Sequence, residues 1–345
     1  MKAERRLTWL PRAGVAALVV AALAVALVVR WPDVPTGGSG GDRAVEPGSV
    51  SPQADQLVYE RLDAPARTVV RDKAGGVVVA VFTDGARTAQ LVGPRRSFSE
   101  PKATTATVTT SSWVRLLPQP WRVGAEVEGW FTDWFARARG DTGPDVLAVA
   151  TEYLIDMPDE TDANGVRFRG DASFGPVKSS GAGRQEQSDF YDYLGLPWDF
   201  VNGTSAQPER SRYGAVDCSG YVRLVFGYRL GMPLLGVNAP GPGLPRRAYA
   251  ISEFGPGVQL VANERRRATD YSRLQPGDLV FFEVEDDPDT LDHVGIYLGL
   301  DDGGHHRFIS SRERINGPTL GDVGGTSLLD DGGFYSTSWR SARRL

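Results

Sequence analysis

The sequence predicts an α+β fold behind an N-terminal membrane segment, and three observations carry that prediction. Short β-favouring runs fill residues 57–121, and helical patterns follow at 127–137 and 145–154. Further on, a helix opening at Cys218 is joined to strand-like runs at 277–282 and 291–299. An unbroken run of Ala, Val, Leu and one Gly at residues 13–29 stands ahead of all of them.

Taken in chain order, residues 1–12 form a basic segment with Lys2, Arg5, Arg6 and Arg12. Residues 13–29 would span roughly 26 Å as a helix, the lower end of a bilayer crossing. The basic residues before it orient the N-terminus inward and the rest of the chain outward, in the cell membrane, single-pass, with the folded mass extracellular. Ala22-Leu-Ala24 and Ala24-Val-Ala26 keep a cleaved, secreted form open as the alternative. Residues 30–56, centred on Thr36-Gly-Gly-Ser-Gly-Gly-Asp42, read as a flexible tether.

Residues 57–140 read as a small accessory β or α+β domain. Its runs Thr68-Val-Val70, 77–82, 89–92 and 107–109 are separated by turns such as Asp84-Gly85. Val127, Trp130, Phe131, Trp134 and Phe135 recur at helical spacing and are assigned to core. Residues 141–345 form the second domain, with 159–187 and 202–211 expected to be long surface insertions.

Across all 345 residues the net charge of −5 gives no electrostatic reason to bind nucleic acid. One cysteine excludes an internal disulfide, and no pattern calls for a metal or cofactor. Chemistry concentrates instead in two runs, Tyr213-Gly-Ala-Val-Asp-Cys-Ser-Gly-Tyr-Val-Arg223 and Leu291-Asp-His-Val-Gly-Ile-Tyr-Leu-Gly299. Cys218 opens a helix whose face carries Val222, Val225 and Phe226, with Asp217 and Ser219 as caps. A thiol there feels the positive end of the helix dipole, which favours thiolate. On the strand, Val294, Ile296 and Leu298 share one face, and His293, Gly295 and Tyr297 the other. Gly295 is expected to make room for the cysteine helix. His305 and His306 follow a turn sequence, so His293 is the candidate general base.

A cysteine at a helix start followed by a remote strand histidine is the chain order of papain-like cysteine hydrolases. The two runs closely resemble those of the NlpC-type cell-wall peptidases: Asp-Cys-Ser-Gly opens a helix, then Gly277-Asp-Leu-Val-Phe-Phe282 and His-Val-Gly-Ile-Tyr-Leu-Gly follow. The resemblance covers about the C-terminal half of the chain, and Asp192-Tyr-Leu-Gly-Leu-Pro-Trp-Asp-Phe200 adds to it, with Trp198 where that family usually has Tyr. It implies a papain-like NlpC-type catalytic domain hydrolysing peptide amides in peptidoglycan stems. It further implies a third catalytic position at Ser310, where relatives usually carry His, Asn or Gln. A hydroxyl can accept from the imidazole N–H but fixes the ring less firmly than those groups. Oxyanion donors would be the N–H of Cys218 or Ser219, with Trp198 nearby. Arg246 and Arg247 either meet acidic substrate groups or form a solvated surface pair. A binding or scaffolding module with a weak site, and amidase or acyl-transfer chemistry on another amide, stay open beside the peptidase.

Overall fold

The computed structural model describes residues 56–285 and 290–345. The basic segment, the apolar run at 13–29 and the tether lie outside the described residues apart from Gln56. Among the described residues no helix is long and apolar enough to cross a membrane. The architecture mixes helix and strand, with a β-rich N-terminal region, and the described residues group as one compact unit.

Five antiparallel strands build the first sheet in sequence order: β1 (Leu57–Leu62), β2 (Arg67–Asp72), β3 (Val78–Thr83), β4 (Thr88–Ser99) and β5 (Thr107–Leu116). The helix α1 (Gly129–Gly140) lays the expected aromatic stripe on it. Phe82 stacks on Trp121 at 4.6 Å and meets Phe131 and Phe135 edge-on, so the aromatic residues are core, whereas Val127 sits in the turn before α1 and is exposed, contrary to its assignment. The next helix, α2 (Val146–Thr151), starts where the Asp145 carboxylate accepts from the Ala148 N–H, and its apolar face joins the main core.

The second sheet contains β6 (Val258–Val261), β7 (Leu279–Phe282), β8 (His293–Leu300), β9 (His306–Arg312), β10 (Gly317–Thr319) and β11 (Trp339–Arg344). Their spatial order is β6-β11-β7-β8-β9-β10, all antiparallel. One face packs on helices α3 (Phe190–Leu194), α4 (Cys218–Val222, continued by π-type turns through Arg229) and α5 (Ala248–Phe254). The other face packs on α6 (Phe334–Ser338) through Tyr335.

Alternation along β8 holds, but the faces are used differently from expectation. Val294, Ile296 and Leu298 face the α4 side with Cys218, Tyr221 and Val225. Tyr297 lies in the opposite layer with Phe282 and Phe308. A Cβ at Gly295 would sit 2.6 Å from the Phe308 ring, so this glycine accommodates Phe308 rather than the cysteine helix. The stretch 159–187 is likewise more than a surface insertion: Ala172 and Phe174 are buried, and Val216 N–H donates to the Ser173 carbonyl at 2.8 Å, fastening the run that leads to Cys218.

The two sheets share a core, since Phe98, Val108 and Val114 of the first pack with the α4 cluster. Polar bonds join them as well. The Leu345 carbonyl accepts from the N–H groups of Arg87 and Thr88 at 2.8 and 2.7 Å, and Arg344 donates to the Thr83 hydroxyl at 2.7 Å.

Candidate active site

Asp217 organises the start of α4. One carboxylate oxygen accepts from the Gly220 N–H at 2.7 Å, and the other from the Gln187 N–H at 2.9 Å. Arg246 closes on the same carboxylate at 2.7 Å and donates to the Ser219 hydroxyl at 2.8 Å. Burial alone would raise the Asp217 carboxyl, but Arg246 holds it below the usual range. Any side chain at Gly220 would collide with the Ser188 carbonyl, so a glycine lets the preceding loop lie against the helix start.

Arg246 also pairs with Asp189 at 3.3 Å, and Asp189 pairs with the fully buried Arg223 at 3.0 Å. Its guanidinium is thus committed to two carboxylates behind the site. Arg247, by contrast, lines the cleft, 3.5 Å from Glu186. Trp198 is half-buried against Phe190 and Tyr228, at 4.9 and 5.9 Å, away from the cleft lining.

The Cys218 thiol donates to the Asp292 carbonyl at 3.6 Å, and the Val294 N–H points at the sulfur. These backbone groups flank His293 on both sides. Registered pairing of β8 with β9 ends at Ile296–Ile309, and the sulfur is received by the main chain of β8 beyond that end. Cys218 opens onto a cleft of about 390 Å³ bounded by Ser219, Tyr249, Asp292, Arg247 and the carboxyls Glu186 and Glu285. Burial pushes the thiol pKa up, and the carboxylates Asp217 and Glu186 push it further. These outweigh the Val294 N–H and the Arg246 charge, which act the other way, so the surroundings oppose the thiolate that the helix start was expected to favour.

The His293 side chain leans into the other layer. Its Nε2 lies 3.0 Å from the Ser310 hydroxyl, and its ring is 5.3 Å from Tyr335 and 5.8 Å from Phe282. Burial, then the charge of Arg312, pulls its pKa down to about 3, against a smaller upward effect of Asp217. Burial thus favours the neutral imidazole and the protonated thiol alike. Because this pKa is depressed, its contribution to stability is present above the unfolded value near 6.5 and is lost as pH falls towards 3. Across that window the loss runs at about 1.4 kcal/mol per pH unit. Melting temperature should therefore fall more steeply between pH 6.5 and 4 in the wild type than in His293→Gln; parallel slopes would refute the buried neutral ring.

Sequence reasoning missed Glu186, Glu285 and Tyr335. Glu186 and Glu285 are hydrogen-bonded to each other across the cleft, and burial plus that neighbour raises Glu186 to about 7. Tyr335 and Arg312 sit behind His293.

Residues 198–320 match the model of the NlpC/P60 family. That span includes Cys218, His293 and Ser310 but not Tyr335. A solved structure from Staphylococcus aureus subsp. aureus Mu50, described as similar to lipoprotein of the NLP/P60 family, is 20% identical, with a TM-score of 0.24. The match covers 45% of this chain and 38% of that one, so this chain spans well under half of that protein. An NlpC/P60 family protein from Bacillus cereus ATCC 10987 is 15% identical over 84% of this chain and 78% of its own, with a TM-score of 0.26. No curated protein matches the chain.

Proposed function

We propose that the NlpC/P60 domain of this chain is a cysteine peptidase that cleaves amide bonds in peptidoglycan stem peptides, with Cys218 as nucleophile and His293 as base. The family suggests cell-wall peptidase-type chemistry. The observation that supports the finer reading most is the thiol seated on the backbone of Asp292 and Val294, on either side of His293, at the floor of an open cleft.

In this reading the imidazole takes the thiol proton as sulfur attacks the substrate carbonyl carbon. The N–H groups of Cys218 and Ser219, in the first turn of α4, lack intrahelical partners and would donate to the developing oxyanion. The C–N bond then breaks, His293 returns the proton to the departing amine, and water hydrolyses the thioester. Arg247 at the rim suits an acidic substrate group, while Glu186 and Glu285 suit an amine. Digestion of purified stem peptides by the full chain, read by mass spectrometry against Cys218→Ala, tests the proposal.

Residues 13–29 are proposed to anchor the enzyme with its catalytic domain outside, where the wall lies. The protein should then fractionate with membranes. Soluble protein whose N-terminus follows Ala24 or Ala26 would instead establish cleavage and secretion.

A further inference from the structure

We propose that Arg312, acting through Ser310, holds His293 in the tautomer that carries its proton on Nδ1, so that the ring must shift this proton before it can serve as a base there. The proposal rests on the peptidase reading for its consequence but on hydrogen-bond inventory for its substance.

Ser310 is fully buried, and its hydroxyl has two neighbours within hydrogen-bonding distance: Arg312 Nε at 3.0 Å and His293 Nε2 at 3.0 Å. A guanidinium has donors and no acceptor, so Arg312 can only donate to the Ser310 oxygen. The hydroxyl proton then has one acceptor among the described residues, the Nε2 lone pair. Were Nε2 protonated, that proton would be left buried and unpaired, which costs about 1–3 kcal/mol. The thiol agrees with this assignment, since Cys218 donates to the Asp292 carbonyl and not to the ring.

Arg312 is itself unusual. It is 2% exposed, and no carboxylate lies within ion-pair distance of it among the described residues. Its other donors go to the Gly325 carbonyl and the Ser327 hydroxyl, both at 2.6 Å, and its guanidinium lies 4.3 Å over the Tyr335 ring. The same ring packs on His293. A fixed positive charge therefore stands behind the imidazole where its protonated form would develop. The charged and titratable groups around the ring are Asp217 and Cys218 from the α4 end, Asp292 beside it on the chain, Arg312 from β9 and Tyr335 from α6. Of these only Asp217 favours imidazolium to a resolved extent, and Arg246 already engages it. The ordinary reading, in which the third residue accepts from the ring, is reversed: Ser310 donates.

The test is long-range ¹H–¹⁵N spectroscopy of the ¹⁵N-histidine-labelled full chain in detergent. With three histidines, the His293→Gln variant assigns the ring. The expected wild-type spectrum has an unprotonated Nε2 and a protonated Nδ1 from pH 5 to 8. Arg312→Met should move the ring proton to Nε2 and raise the titration midpoint by roughly one to three units. Ser310→Ala, which leaves Arg312 in place, should abolish the Nδ1–H preference and covers the case in which Arg312→Met does not fold. A wild-type ring protonated on Nε2, an imidazolium at pH 7, or a folded Arg312→Met with an unchanged spectrum would overturn the proposal. None of these readouts depends on hydrolysis, so an inactive enzyme with the expected spectrum would count against the peptidase reading alone.

Discussion

Replacing Cys218 with alanine should reduce stem-peptide hydrolysis on the order of 10⁴-fold or more while leaving the fold in place. The sulfur is the attacking atom in the proposed chemistry, and the chain carries no second thiol to replace it. Asp217, Glu186 and Glu285 are carboxyls, and the Ser219 hydroxyl accepts from Arg246. A loss of that size corresponds to about 5.5 kcal/mol of transition-state stabilisation. Alanine fills most of the thiol's volume, and the bond it gives up, at 3.6 Å to the Asp292 carbonyl, is weak, so melting should change little. Turnover within tenfold of wild type in a folded Cys218→Ala chain would eliminate the nucleophile assignment. Failure of the wild type on every stem peptide offered, with Cys218 also inert to alkylating reagents at high pH, would favour the binding-module alternative.

The second large effect is on stability. Asp189 is fully buried, pairs with Arg223 and Arg246, and also caps α3 through the Phe190 N–H at 2.9 Å. Asp189→Ala leaves Arg223 as an uncompensated cation with no solvent access, which costs roughly 3–5 kcal/mol. That is a large share of the roughly 5–15 kcal/mol by which a domain is stable. The urea midpoint should drop accordingly with an unchanged slope. Because Arg223 also donates to the carbonyls of Leu235, Leu244 and Pro245, its removal together with Asp189 should recover only part of the loss. A midpoint shift equivalent to less than 1 kcal/mol would show that these carbonyls alone suffice to compensate the charge.

That Cys218 opens a helix and His293 opens a strand could be read from the chain because the signals are local: a cap residue, a glycine, an alternating strand. The aromatic stripe of α1 was legible for the same reason, since helical spacing needs no knowledge of the partner surface. What could not be read was the third dimension. Period-two alternation separated Val294 from His293 correctly but could not say which face meets α4, so Gly295 was given the wrong neighbour. Nor could an Arg-Arg dipeptide reveal that Arg246 turns inward to two carboxylates while Arg247 turns to the cleft. The pairing of Glu186 with Glu285, and the placing of Tyr335 and Arg312 behind the ring, come from chain segments brought together only by the sheet.

The bonds between the two sheets carry a consequence for the order of assembly. Thr88 and Leu345 are 257 positions apart, and Gln90 reaches the Pro276 carbonyl across 186 positions. Contacts of such long range can form only after a large loss of chain entropy, and they slow folding. During synthesis, β3 and β4 emerge long before the residues that complete their hydrogen bonds, and Cys218 emerges before the strand that carries His293. Cys218 and His293 thus come together late, after the polypeptide has lengthened past both sheets. Under the proposed chemistry, a chain built this way becomes competent only at the end of its own folding.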